Sequence, residues 1–190
     1  MDSIFTIPYG EYSVADRISK LMSKYGKISV LIPSSRQEKG FDLVLYGFDE
    51  ISKKNHYLNI QVKQSKTYYS NKVVTVDDIK RQSIGKLWFN RFCVQDNVDW
   101  YILTGIYITY PKAWEEYKLE DMAWESINLA FRRDEMDVFM KSVKQRRDKT
   151  KDDKYFEFVF DNARNIYLVR GCLENRIMTQ FLLENRIEDI

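Results

Sequence analysis

The sequence predicts an α/β protein in which helices cover a central mixed sheet, with elements in the order αβββαβ. Three patterns predict this fold. Residues 10–25 place apolar side chains at helical spacing, whereas residues 41–47 and 56–64 alternate apolar and polar side chains as half-buried strands do. Residues 100–110 are dense in β-branched and aromatic side chains, which is typical of a buried strand. Helical and strand patterns that follow one another in this way favour a sheet covered by helices.

The first helix and the strands after it have clear limits in the sequence. Val14, Ile18 and Leu21 form one apolar stripe on the helix. Gly26 is suited to ending that helix, and Pro33 to ending the strand that follows. The three predicted strands cover residues 27–32, 41–47 and 56–64, with a polar turn between the last two.

The next part of the chain is predicted to supply the second helix and the last core strand. Residues 65–76 fit either a bent strand or a loop, and a helix is predicted over residues 77–92 with Asp77 as its N-cap. Beyond the core strand at 100–110, residues 111–190 predict an α+β extension. Its helices are predicted over residues 112–117, 122–145 and 173–189, and its strand pair over 155–160 and 165–170.

Length and composition predict a single globular unit. A chain of 190 residues fits one domain overall, with a core over residues 1–110 and a C-terminal extension over 111–190 packed on it. Hydrophobic residues at 44% and aromatic residues at 15% are sufficient for a core. The formal net charge of +2 excludes a protein that is cationic over its whole surface. Any nucleic-acid surface must therefore be a local patch.

The number and spacing of the cysteines and histidines limit which cellular compartments and which metal sites fit this chain. Cys93 and Cys172 lie far apart without metal-type spacing, which fits a reducing cytoplasm. His56 is the single histidine, which excludes metal sites built from several histidines. No apolar run approaches the roughly 20 residues that span a bilayer, and the N-terminus lacks the pattern of a signal peptide. We therefore expect a cytoplasmic protein without membrane contact.

Three polar residues stand out on the two alternating strands. Because side chains alternate along a strand, Asp42 faces away from its apolar neighbours, and Gln61 and Lys63 share the polar face of the next strand. If the two strands pair, an acid, an amide oxygen and a lysine converge. That set suits a divalent-metal site with an adjacent cation, a combination suited to phosphodiester cleavage. The structural alternative is a cross-strand ion pair between Asp42 and Lys63.

Glu11 is a further candidate, because it extends the apolar stripe of the first helix. A carboxylate on a buried face is costly unless it is paired or binds a metal. The alternative is an acid in the first helical turn, where the helix dipole favours it and water reaches it.

Together these residues resemble the PD-(D/E)XK nuclease superfamily, over roughly residues 8–110. The Gln-x-Lys form is similar to that of Mrr-type restriction endonucleases, and the placement of Glu11 and Gly40-Phe41-Asp42 is similar to that in archaeal Holliday-junction resolvases. The resemblance implies a restriction-endonuclease-like core. Two positions depart from the family pattern. Phe41 stands where proline is usual, and Gln61 replaces an acid and so removes one negative charge.

The resemblance implies a Mg²⁺-dependent deoxyribonuclease with Asp42 as central metal ligand and Lys63 as catalytic lysine. Gln61 would take the place of the second acid, and Glu11 would be the helix-borne acid. Mg²⁺ prefers oxygen ligands and usually takes one or two carboxylates from a protein. Asp42 and Glu11 could supply these, with the Gln61 side-chain oxygen or the Val62 backbone carbonyl. Mn²⁺ is expected to substitute.

A basic stretch directly after the Gln-x-Lys strand is the predicted nucleic-acid contact, with a plain solvated loop as the alternative. Its lysines, amides and aromatic rings could grip phosphates and stack on bases. The predicted contact residues are Gln64, Lys66, Tyr68 and Lys72, together with Gln82 projecting from the predicted second helix. A solvated or capping role is the alternative for Gln82.

The sequence thus predicts a metal-dependent endonuclease that hydrolyses phosphodiester bonds in DNA, with RNA as the alternative substrate. Defence, restriction, mobile-element function and repair are all suitable contexts. A catalytically degenerate protein that keeps the fold as a nucleic-acid-binding or assembly module is the alternative, and Gln61 favours it. A third possibility is an α/β interaction domain in which these charges are incidental. Cleavage of both strands of a duplex would require a homodimer, since one site cuts one strand.

Overall fold

The computed structural model describes residues 9–25, 28–33, 40–76, 79–90, 93–109, 123–143, 155–170 and 177–190. The strands are β1 (Ile28–Leu31), β2 (Leu43–Asp49), β3 (Lys54–Tyr69), β4 (Val73–Val76), β5 (Ile79–Gln82), β6 (Gly85–Asn90), β7 (Trp100–Thr109), β8 (Ala123–Arg132), β9 (Tyr155–Phe160) and β10 (Ile166–Arg170). The helices are α1 (Tyr9–Met22), α2 (Arg133–Ser142) and α3 (Leu183–Arg186), with 3₁₀ turns at Ser23–Tyr25 and Thr179–Phe181.

Strand β3, with 16 residues, organises the fold because it belongs to two layers of one eight-stranded sheet. In the first layer, β3 pairs antiparallel with β2 and parallel with β7, and β1 and β8 flank these strands. In the second layer, the C-terminal end of β3 pairs with β6, β6 pairs with β9, and β9 pairs with β10. The sheet is therefore mixed, as predicted, and β4 and β5 form a separate two-stranded ribbon.

Two hydrophobic clusters cover the two faces of the first layer. On one face, α1 and α3 pack on side chains that include Leu43, Ile60 and Ile102. On the other face, the strands of the second layer and α2 enclose a larger, phenylalanine-rich core. On this face of the sheet the sequence predicted covering helices, but a second layer of strands covers most of it. Strands β8, β9 and β10, from residues beyond 110, complete both layers of the same sheet.

The strands predicted at 27–32, 41–47, 56–64 and 100–110 are confirmed, as is the strand pair at 155–160 and 165–170. Residues 65–76 continue β3 to Tyr69 and then form β4. The first helix is confirmed as α1, whose buried stripe includes Val14 and Ile18. Helix α1 and strands β2 and β3 show a regular apolar period, and the strand at 100–110 is a dense apolar run, so local sequence alone indicates them.

The helix predicted over 77–92 is wrong, because this part of the chain forms β5 and β6. Gly85, Leu87 and Phe89 are buried and alternate with Lys86 and Trp88, which is the period of a strand. Gly85 is held against the ring of Phe160, so close that a Cβ at this position would collide with it. The core order is therefore not αβββαβ, since strands occupy the place of the second helix.

The helix predicted over 122–145 is wrong in its first part, because β8 occupies residues 123–132. Residues 127–131 are buried on both faces of the sheet, so they show no alternation that would reveal a strand. Helix α2 follows at once, with the backbone N–H of Arg132 donating to the Glu135 carboxylate at 2.8 Å.

The last predicted helix is much shorter than 173–189. From residue 177 onward the structure shows a 3₁₀ turn and the four-residue helix α3. The helix predicted over 112–117 lies outside the described residues. In the described parts of the chain, no helix is long and apolar enough to cross a membrane.

Replacing Gly105 with alanine is expected to destabilise the protein by about 1–3 kcal/mol, because the site is already filled. A Cβ at Gly105 would collide with Cδ2 of Leu87 and lie 2.9 Å from Oγ1 of Thr67, where β6 crosses β7. Gly47→Ala is the matched control, since its Cβ would meet only Cγ1 of Ile28 at 4.0 Å. Urea unfolding of both variants measures the difference, and equal midpoints would contradict this close approach.

Candidate metal site at the end of strand β2

Asp42 lies directly before β2, at the point where that strand stops covering the edge of β3. Its backbone N–H donates to the carbonyl of Ile60, and its Oδ2 accepts the backbone N–H of Val62, both at 2.8 Å. The last register pair of the two strands is Leu43 with Ile60. The carboxylate therefore takes the place of a strand partner at the exposed edge of β3. An ionised carboxylate accepts about four hydrogen bonds, so capacity remains for a ligand.

Gly40 determines how the chain enters this position. Its φ of 117° lies in a region that residues with a Cβ rarely adopt. A Cβ at Gly40 would also collide with the side chain of Asn97. The backbone conformation and the close approach of Asn97 therefore favour glycine at the start of Gly40-Phe41-Asp42. This conformation directs Asp42 to the edge of β3.

Gln61 is the unusual residue of this site. Its side chain is 7% exposed, and within the described residues its buried Oε1 has no hydrogen-bond partner. Register with Tyr101 places it on the face toward the larger core. A buried polar atom without a partner costs about 1–3 kcal/mol, so native structures contain few of them. An oxygen of this kind, one residue from the Asp42–Val62 contact, is suited to receive a cation or its bound water.

Lys63 lies two residues beyond Gln61 on the same face of β3 and is half-buried, opposite Leu103 in register. The cross-strand ion pair of Lys63 with Asp42 is not formed. The Asp42 carboxylate instead accepts the backbone N–H of Val62. Among the described residues, Asp42 therefore does not neutralise the ammonium group of Lys63.

Glu11 is buried, with 9% of its surface exposed, in the first turn of α1. The alternative of a water-exposed acid at that turn does not fit this burial. The neighbouring Gly10 contacts the side-chain amide of Gln64. Because α1 packs on the face of β3 that carries Ile60, Glu11 approaches β3 from the side opposite to Gln61. The structure thus brings Asp42, Gln61 and Val62 together, and it places Glu11 beyond Gln64 on the other face.

The predicted nucleic-acid contacts divide into two groups. Lys66 is exposed and Tyr68 is 43% exposed, so both are accessible. Gln64 and Lys72 are also exposed, but both already have partners, since Gln64 contacts the start of α1 and Lys72 pairs with Glu157 at 2.5 Å. Gln82 lies on β5 and not on a helix, and its Nε2 donates to the carbonyl of Asn71 at 2.6 Å. Its predicted projection from a helix toward the site is therefore wrong.

Sequence reasoning missed the pair formed by Lys86 and Glu157. The Glu157 carboxylate is buried, and its Oε2 lies 3.6 Å from the ammonium group of Lys86. A signal was present in the sequence, since Glu157 is the single charge in the apolar run Tyr155–Phe160. A lone carboxylate in a buried strand indicates a cationic partner.

The donor set of the site fits a hard divalent cation. Carboxylate, amide and backbone carbonyl oxygens are the ligands that Mg²⁺ prefers, and it needs few carboxylates from the protein. Among the described residues there is no cluster of three or more histidine, cysteine, aspartate or glutamate side chains that could hold a metal. Any metal here would therefore be bound through amide and backbone oxygens as well as Asp42.

Comparisons of the chain with protein-family models, with curated proteins and with solved structures find no match. Any function must therefore be argued from the residues and their geometry.

Proposed function

We propose that the protein is a metal-dependent endonuclease that hydrolyses phosphodiester bonds in DNA. The observation that carries the proposal is the buried oxygen of Gln61, which has no hydrogen-bond partner among the described residues. Gln61 directly precedes Val62, whose backbone N–H donates to the Asp42 carboxylate at the open edge of β3. Lys63 follows on the same face and supplies the cation that this chemistry uses. The resemblance of these residues to the PD-(D/E)XK nucleases supports the same activity.

Asp42, Gln61 and the backbone carbonyl of Val62 would hold Mg²⁺ or Mn²⁺. Glu11 approaches β3 from the opposite face and is therefore not part of this donor set. The metal would offset the charge of the scissile phosphate and lower the pKa of water bound to it. Asp42 contributes a fixed negative charge at this position. Its hydrogen bond to the Val62 N–H orients the carboxylate before any ligand arrives.

Lys63 has two suitable roles in hydrolysis. Its ammonium group can donate to a phosphate oxygen and stabilise the charge that develops in the transition state. In its neutral form the same nitrogen can accept a proton from the attacking water. Its half-buried position strengthens either interaction, because electrostatic effects grow where water is excluded.

A cleavage assay tests the proposed activity. The protein is incubated with supercoiled plasmid, duplex, branched and single-stranded oligonucleotides, in Mg²⁺, in Mn²⁺ and in EDTA. We expect nicked or cut products with either metal and intact substrates in EDTA. The absence of products with every substrate and both metals would overturn the proposal. Cleavage of both plasmid strands in one event would indicate a homodimer, since one site cuts one strand.

The second candidate is a binding or assembly module without activity, and Gln61 favours it because an amide replaces an acid. This alternative predicts nucleic-acid binding that does not depend on metal, with no products in the same assay. Restriction, defence, mobile-element function and repair are all suitable contexts for an active protein. The cleavage assay applies equally to each of them.

Substitution of Gln61 separates a metal ligand from a structural residue. Gln61→Leu is expected to leave the free energy of unfolding unchanged or to raise it, because a partnerless buried oxygen is removed. The same variant should lose the metal-induced rise in Tm, since a ligand that binds the folded state stabilises it. Gln61→Glu should increase that rise, because it restores a second carboxylate.

Thermal unfolding with and without Mn²⁺ measures these changes. Gln82→Glu on β5 is the control for added charge, and it should leave the metal response unchanged. If Gln61→Leu lowers Tm in EDTA and keeps the metal response, Gln61 has a structural role instead.

A further inference from the structure

The outer face of the second layer carries a basic and aromatic surface that the proposed catalytic site does not use. Tyr68 and Lys86 are register partners on β3 and β6, and the Lys86 ammonium lies 5.6 Å from the centroid of the Tyr68 ring. Lys66 precedes Tyr68 by two residues, so it shares the same face of β3. We call Lys66, Tyr68, Lys72 and Lys86 the outer track.

Glu157 holds two lysines of the outer track in place. Its carboxylate is 6% exposed and accepts from the Lys72 ammonium at 2.5 Å, and it lies 3.6 Å from that of Lys86. The side chains of Lys72 and Lys86 remain 50% and 30% exposed. Each ammonium has three donors, so donors remain for an anion on the solvent side. One buried charge thus orders two exposed cations before any ligand binds.

The charge of this part of the chain is locally basic although the whole chain is nearly neutral. Residues 64–90 contain the cations Lys66, Lys72, Lys80, Arg81 and Lys86, against the two acids Asp77 and Asp78. Glu157 brings one more negative charge, which Lys72 and Lys86 already offset. Lys66, Lys72 and Lys86 come from this segment, and clustered cations are the electrostatic pattern expected for binding a phosphate backbone.

The aromatic rings indicate which form of nucleic acid fits. Tyr68 is 43% exposed and Tyr69 is 80% exposed, at the end of β3. Exposed rings between lysines bind unpaired bases by stacking, whereas a duplex keeps its bases stacked inside.

We propose that the outer track binds single-stranded nucleic acid, with phosphates on its lysines and a base on Tyr68. This proposal rests on the proposed function, because the track lies on the same strand as Lys63 and begins three residues, or about 10 Å, beyond it. Side chains three residues apart lie on opposite faces of a strand, so a bound strand would reach the site of cleavage around the edge of β3 that β2 leaves open. The substrate would be a strand, flap or opened segment, and not a continuous duplex.

Fluorescence anisotropy in EDTA tests the track without any cleavage. Labelled single-stranded DNA, single-stranded RNA and duplex DNA of one sequence are titrated with the full-length protein. We expect tighter binding of a single-stranded form than of the duplex, and the DNA and RNA arms show which sugar is preferred. Tyr68→Ala should weaken single-strand binding about tenfold, since stacking contributes about 1–3 kcal/mol per base. Tyr68→Phe keeps the ring and should bind as the wild type does.

Matched variants on the same strand serve as controls. Tyr57 is 58% exposed at the other end of β3, so Tyr57→Ala should leave binding unchanged. Lys66→Ala should reduce the slope of log K against log salt by about 0.7, the value for one phosphate contact on a single strand. Lys54→Ala, also on β3, should not change that slope.

Equal or tighter binding of the duplex would overturn the proposal, as would unchanged binding by Tyr68→Ala. The two proposals fail separately. Metal-dependent cleavage without any effect of Tyr68→Ala would refute the outer track alone. Single-strand binding that depends on Tyr68, with no cleavage in Mg²⁺ or Mn²⁺, would refute the endonuclease and leave the track.

Discussion

Asp42→Asn is expected to lower the rate of metal-dependent cleavage by about a thousandfold or more, which corresponds to about 4 kcal/mol of transition-state stabilisation. The amide oxygen of asparagine can still accept the hydrogen bond from the Val62 N–H. The substitution therefore keeps the local geometry and removes the negative charge that a divalent cation requires. Single-turnover cleavage with saturating Mn²⁺ measures the loss.

Asp49→Asn is the control for this substitution, because Asp49 lies at the far end of the same strand, where its carboxylate caps a turn at Ile51. It should cleave at the wild-type rate. Lys63→Met should lose activity and keep nucleic-acid binding, whereas Lys54→Met on the same strand should retain both. Wild-type activity in Asp42→Asn would show that the metal is held elsewhere.

Phe158→Ala is expected to destabilise the protein by about 3–5 kcal/mol, because it opens a cavity in the larger core. Phe158 is fully buried on β9, between the two layers. Its ring centroid lies 5.6 Å from that of Phe156, 6.0 Å from Phe139 and 6.3 Å from Phe89. The substitution would therefore remove ring contacts with Phe89 on β6 and with Phe139 on α2. Urea unfolding followed by circular dichroism measures the change in free energy.

Val138→Ala on α2 provides the comparison, since Val138 is 64% exposed and its methyl groups leave water only in part. Its effect should stay within about 0.5 kcal/mol. A similarly small effect of Phe158→Ala would mean that the second layer does not depend on this core.

Local sequence was sufficient for elements with one buried face. Alternation over β2 and β3, and the stripe of α1, appear in the residue order because one side of each element meets the core and the other meets solvent. The same alternation placed Asp42 on the polar side of its strand, opposite to Leu43 and Leu45. Strand β7 was predicted from its dense apolar run, because a strand buried on both faces carries apolar side chains on both.

Tertiary structure decided the elements whose burial comes from distant partners. Strand β8 is buried by α3 on one face and by the larger core on the other, so its sequence shows no alternation, and its alanine, leucine and glutamate resembled a helix. Strand β6 is a strand because Gly85 and Leu87 fit against Phe160 and Gly105, which are far away in sequence. Burial alternates along β6, but Leu87, Trp88 and Phe89 are all apolar, so the sequence itself does not display that alternation.

The candidate site shows the same division. The sequence by itself determined the types of donor, a carboxylate, an amide and a lysine at the spacing of a strand. Only the tertiary structure decided that β2 begins at Leu43, so that Asp42 accepts the Val62 N–H and the Gln61 oxygen stays without a partner in the described part of the chain. It also decided that Glu157 lies beneath Lys72 and Lys86. These facts depend on register and layer packing, which long-range contacts set.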